Sequence, residues 1–126
     1  MTFDEYKNEF YTILKRAINF AEKARREGLL ALDKAIDSER ADNRDIFEYG
    51  MRFIIDGTDR ELVDKILSNI VDQEKDEFSK ALKNIQKEAV LSIQNGDNPR
   101  ILMAILNSYT DISLSDPEFK KVLDYL

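Results

Sequence analysis

Thr2-Phe-Asp-Glu-Tyr-Lys-Asn-Glu-Phe-Tyr-Thr-Ile-Leu-Lys-Arg-Ala-Ile-Asn-Phe-Ala21 opens the chain and decides its fold class. Phe3, Tyr6, Phe10, Ile13, Leu14, Ala17, Ile18 and Ala21 recur at steps of three and four, the period that lines one face of an α-helix. Thr2 and Glu5 ahead of that run have the spacing of a capping box. The helix predicted here reaches about Glu27, where Gly28 either ends it or admits a close neighbour, and residues 29–36 continue the helical pattern.

Working outward, the same period governs the rest of the chain. Residues 37–44 are almost without apolar side chains and predict a solvated turn. Residues 45–56 are apolar nearly all round a helix, which predicts a short helix buried on most faces at the centre of the core. Gly57 closes it, and Thr58 with Glu61 has the spacing of a second capping box. From Asp59 to about Gln94 the stripe Leu62, Val63, Ile66, Leu67, Ile70, Val71 and onward predicts one long helix, projecting through solvent or bending at the all-polar residues 72–77. Asn95-Gly96 is a stop, Asn98-Pro99 starts a helix over 100–109, and Ser115-Asp116-Pro117-Glu118 caps the last one. The expectation is an all-α chain, a single small helical domain over residues 1–126 with one long helix and a C-terminal helical pair. That pair either folds back on the polar middle of the long helix or offers its apolar side chains to another chain.

Composition bounds the chemistry. With 126 residues, 43% of them apolar, the chain can bury one ordinary core, and only four Gly and two Pro leave little room for strands. Nineteen Lys plus Arg against 25 Asp plus Glu give a formal charge of −6, the wrong sign for a nucleic-acid binder. The absence of His and Cys removes triad hydrolases, thiol nucleophiles and the usual zinc sites. No apolar run approaches the roughly 20 residues of a spanning helix, and the acidic N-terminus is unlike a signal peptide, so a cytoplasmic chain is expected. Met1 and the capped first helix are read as the start of an independent gene product.

Carboxylates are the only abundant catalytic type. Pairs such as Asp72 with Asp76 read as a solvated helix face; a ferritin-like site needs His, and the EF-hand spacing is absent. Gly28, Gly50, Gly57 and Gly96 are scattered and form no phosphate loop. No catalysis, cofactor or metal is therefore expected, with a carboxylate-bound metal hydrolase as the minor alternative. Lys23, Arg25 and Arg26 form the densest basic cluster; taken alone, it is a cationic last turn that suits the dipole of the first helix.

Two stretches change that balance: Ala21-Glu-Lys-Ala-Arg-Arg-Glu-Gly-Leu-Leu-Ala-Leu-Asp33 and Tyr49-Gly-Met-Arg-Phe-Ile-Ile-Asp-Gly-Thr-Asp-Arg-Glu-Leu-Val63. Together they resemble the cytoplasmic loop of the flagellar stator subunit MotA. In that family a helix of the form A-x-K-A/S-R-x-x-G-x-x-x-L-E/D is followed by an acidic loop, a short apolar helix ending in D-G-T, and a long acidic helix. Order and spacing agree over about residues 15–80; residues 96–126 have no counterpart.

The resemblance implies a soluble MotA-like protein of the flagellar motor, in motility and chemotaxis, that contacts rotor or stator components through surface charge. The implied partner is the rotor switch protein FliG or a stator or motor-associated protein, at the cytoplasmic face of the motor. Ion conduction, which the family performs with MotB through membrane helices, is not expected of this chain by itself. The family's rotor-facing arginine, three before the glycine, falls on Arg25, and its partner carboxylate, five after it, falls on Asp33, where the family usually has Glu. Lys23 and Arg26 widen the basic patch. On a continuous helix Arg25 and Asp33 would lie within about 80° of each other. The alternative is a generic helical scaffold that self-associates through its long helix and C-terminal apolar segment.

Overall fold

Thr2 and Glu5 close the predicted box: the Thr2 hydroxyl accepts from the Glu5 amide at 3.1 Å, and the Glu5 carboxylate accepts from the Thr2 amide at 2.9 Å. From this cap α1 runs over Phe3–Glu27. The computed structural model describes residues 1–39 and 45–126, and among them every regular element is helical, so the chain is all-α. After α1 come a single 3-10 turn at Leu29–Ala31, α2 (Leu32–Ser38), α3 (Ile46–Ile55), α4 (Arg60–Gln73), α5 (Glu77–Asn95), α6 (Pro99–Asn107) and α7 (Pro117–Tyr125). None of the described helices is long and apolar enough to cross a membrane.

Gly28 ends α1. Its φ of 88° is a conformation that side chains with a Cβ rarely adopt, and the chain leaves it for the 3-10 turn and α2. The solvated turn predicted from residue 37 begins later, because α2 persists through Ser38 and Glu39 is the first extended residue; residues 40–44 lie outside the described part.

The single long helix predicted from residue 59 is instead two, folded as an antiparallel hairpin. Asp64 of α4 lies 3.7 Å from Lys87 of α5, and Glu74 lies 3.1 Å from Lys83, so rising numbers meet falling ones. Glu74 turns extended, its carboxylate accepts from the amides of Lys75 (3.0 Å) and Asp76 (3.4 Å), and Asp76 caps α5 by accepting from the Ser79 amide at 2.9 Å. The break allows Val63, Leu67 and Val71 to bury against α5, a gain of about 1.5–3 kcal/mol for each large apolar side chain that an isolated straight helix would forgo.

The second predicted capping box does not form either. Asp59 caps α4 without a side-chain hydrogen bond, because Thr58 is committed to closing α3. Its amide donates to Phe53 O and that of Gly57 (φ 81°) donates to Ile54 O, the paired bonds of a Schellman end, and the Thr58 carbonyl accepts from Gln94.

The centre of the core is α5, not α3. α5 packs against α1, α3, α4 and α6, and its residues Ala89, Val90, Leu91, Ser92 and Ile93 are consecutively buried. α3 buries Ile46, Phe47, Gly50, Met51 and Ile54 but leaves Tyr49 about half exposed. Gly50 marks the close approach of three helices: a Cβ there would meet Leu67 Cδ1 at 2.8 Å and Val90 Cγ2 at 2.9 Å.

The C-terminal pair forms from the predicted caps, with Asn98 accepting from the Ile101 amide and Asp116 from the Glu118 amide, both at 3.0 Å. It does not fold back on the polar middle of the predicted long helix. α6 packs on α1 and on the apolar end of α5 rather than on the polar segment at 74–76, and α7 is tied to α1 through Asp116 and Glu118.

Candidate functional site

The four residues singled out in sequence flank the Gly28 corner. Lys23, Arg25 and Arg26 occupy the last two turns of α1, and Asp33 the first turn of α2. Arg25, Arg26 and Asp33 are exposed. The 80° estimate fails because it presumed one helix: Gly28 and the 3-10 turn place Arg25 and Asp33 on separate helices.

Each charge has a neighbour that sets its position. The Arg25 guanidinium donates to the Gly96 carbonyl at 3.0 Å, at the C-terminal end of α5 where the helix dipole is negative. Lys23 pairs with Glu27 one turn on at 3.1 Å, an exposed contact. Arg26 lies beside Arg25 on a small cleft that Glu22 and Pro99 complete. The cationic side of the corner thus joins the end of α1 to the turn between α5 and α6.

The anionic side is built around a residue that the sequence reading missed. Arg52 of α3 reaches Asp37 at 2.9 Å, Glu48 at 3.2 Å and Asp33 at 3.8 Å, so one guanidinium serves three carboxylates from two helices. Hydrogen bonds to Asp37 and then Glu48 push Arg52 further above its usual range and keep it charged. Half of this cluster was available in the sequence, since Glu48 and Arg52 have the i, i+4 spacing of a helical ion pair. The link from α3 to Asp33 was not, because it crosses between helices.

Beneath the acidic side, Arg16 of α1 fastens both ends of the segment that joins α2 to α3. Its Nε donates to Glu39 at 2.9 Å, its Nη1 to Asp45 at 2.6 Å, and its guanidinium lies 4.5 Å from the centre of the Phe47 ring. Asp45 in turn caps α3 by accepting from the Glu48 amide at 2.8 Å. The carboxylates at 72–77, read as a solvated face, act at helix ends: Glu74 and Asp76 are held below their usual values, Glu74 chiefly by Lys83 and Asp76 by the Ser79 amide.

The corner displays opposite charges on two sides of a glycine. Comparison with characterised proteins gives it a context: over 62 residues the chain is 39% identical to Motility protein A of Borreliella burgdorferi (strain ATCC 35210 / DSM 4680 / CIP 102532 / B31). The match covers 49% of this chain and 23% of that protein, so the chain spans less than a quarter of the relative's length. No protein-family model matches the chain. The class that fold and comparison define is a helical protein with a partial relationship to Motility protein A.

Proposed function

We propose that the chain acts in a flagellar motor as a MotA-like adaptor or structural element, contacting the rotor switch protein FliG or a stator component through the charges at the Gly28 corner. The observation that carries this reading is the outward placement of Arg25 and Asp33, of opposite sign, on either side of that corner. The partial similarity to Motility protein A supports the motor context.

Such a contact suits repeated engagement and release. Exposed ion pairs contribute about 0–1 kcal/mol each, so they steer approach and register without locking the partner in place. They weaken as salt shortens the screening length to about 8 Å at physiological ionic strength. Asp33 would engage a cation on the partner in competition with Arg52, and Arg25 would engage an anion while retaining Gly96 O as its anchor. The reading assigns the chain neither catalysis nor ion conduction of its own.

The test is binding of purified FliG C-terminal domain to the wild-type chain and to Arg25→Glu and Asp33→Lys, at low and high salt. Each reversal is expected to weaken binding at low salt by up to about fivefold, the scale of one exposed ion pair, and the differences are expected to close as salt rises. Equal binding by all three proteins at low salt rejects the roles of both residues.

A further inference from the structure

α6 has two opposite faces. Leu102, Met103, Leu106 and Asn107 turn inward and are buried, whereas Ile101, Ala104, Ile105 and Ser108 lie on the outer side, with Ile101 48% exposed. At 100° per residue the four outer positions fall within about 100° of arc, a single stripe opposite the core. The chain is 35% charged, yet residues 101–110 contain no charged side chain, the longest such run in the sequence. Beside the stripe, Ile101 and Ile105 border a shallow cleft floored by Leu91 and Ser92 of α5. Ile105 is partly buried against the core, so Ile101 and Ala104 are the apolar surface that the fold leaves uncovered on this side of α6.

The charges at its ends indicate what covers it. Arg100 stands exposed at the start of the stripe and Asp111 exposed just past its end. We infer that this face is a homodimer contact, on which α6 of a second copy of the chain packs antiparallel about a two-fold axis near Ala104 and Ile105. That axis lays Arg100 of each copy against Asp111 of the other, and it opposes the two helix dipoles. The stripe is thus its own complement in charge, which a partner of arbitrary sequence would have to match. Ala104 at the crossing point leaves room for helix axes to approach within about 8–10 Å. Four further charges lie along the rim and balance in sign: Arg60, Glu88 and Asp97 line the cleft, and Lys87 sits 3.4 Å from Glu88. The terminal pair, Arg100 with Asp111, therefore sets the direction.

This contact is independent of the motor reading, since α6 lies outside residues 15–80 that carry the resemblance. Its small footprint, about three turns of helix, places it among weak and reversible interfaces. Sedimentation equilibrium of the full chain from about 10 µM to about 1 mM covers the range in which contacts of that size associate. The mass is expected to climb from monomer toward dimer. Ala104→Arg, on the solvent side, should stay monomeric while keeping the wild-type helical circular dichroism and melting temperature. Arg100→Glu should weaken association about fivefold or more, two ion pairs being lost per dimer, and Arg100→Glu with Asp111→Arg in the same chain should restore it. A wild-type monomer throughout overturns the inference and leaves the stripe to an unlike partner. A dimer indifferent to Ala104→Arg, a larger oligomer, or a double exchange that does not recover association overturns it as well.

Discussion

Lys7 and Asp116 stand 109 residues apart in the chain and 2.7 Å apart in space. The Lys7 ammonium donates to the carboxylate that caps α7, and the Tyr11 hydroxyl donates to the same group at 3.2 Å, so the last helix is held to the first by the residue that starts it.

Acid should therefore loosen α7. The bond from Lys7 chiefly, opposed by burial and helped by the Glu118 amide and the Tyr11 hydroxyl, holds Asp116 below its usual value of 3.8; Lys15 does the same for Glu118. The unfolded chain takes up these protons first, so the stabilisation is complete above about pH 5 and is lost as pH falls through the lowered folded values. Protection of the amides over residues 117–125 against hydrogen exchange, taken relative to the intrinsic rate at each pH, should fall in that window, and Asp116→Asn should lower it at neutral pH while protection across α5 is unchanged. Uniform exchange across both helices would show that the clamp is not local.

Gly50→Ala inverts the usual rule. In an ordinary helix interior the change stabilises by up to about 1 kcal/mol. Here the new methyl meets Leu67 and the stiff, fully buried Val90 at under 3 Å, and the overpacking is expected to destabilise the fold by about 1–3 kcal/mol in urea unfolding. A stabilised variant would mean that α3, α4 and α5 part easily at this point.

Arg16→Gln removes a guanidinium that is only 20% exposed and leaves Glu39 and Asp45 without it. Part-exposure of both carboxylates screens the loss, so the cost is expected at about 1–3 kcal/mol rather than that of a fully buried pair. Thermal unfolding at pH 7 reads it, and a melting temperature equal to wild type would remove Arg16 from the account.

Arg52→Gln bears on the proposed contact rather than on the fold. It frees Asp33, Asp37 and Glu48 from their shared cation, so a cationic partner site should bind up to about fivefold more tightly at low salt and no differently at high salt. Affinity titrations of the variant at both salt levels separate this from a loss of structure, which would weaken binding at every ionic strength.

Much of this fold was legible one element at a time. Thr2 with Glu5, Asn98 with Pro99, Asp116 with Pro117, and the stops at Gly57 and Gly96 all act within five residues of themselves, and each helix end that they predict is present. The failures share one cause. Residues 72–77 have the composition of a helix face, and only the neighbours that Val63, Leu67 and Val71 find on α5 turn that stretch into a hairpin. Thr58 looks like a cap until its amide is drawn to Phe53 O. At the corner, the basic cluster at 23–26 was readable in the sequence and Asp33 only through the family resemblance, whereas the Gly96 carbonyl beneath Arg25 and Arg52 beside Asp33 come from helices elsewhere in the chain.

The amino-acid sequence alone determined that this chain is helical, where most helices begin and end, and which charges cluster near Gly28, because caps, periodicity and glycine conformation act between neighbours a turn apart. Only the tertiary structure decided that α5 is the centre, that the acidic stretch is a bend, and that Arg25 rests on the Gly96 carbonyl while Asp33 lies beside Arg52. Those outcomes depend on which apolar faces meet and at what angle, and pairing between distant segments leaves no periodic trace in either segment by itself.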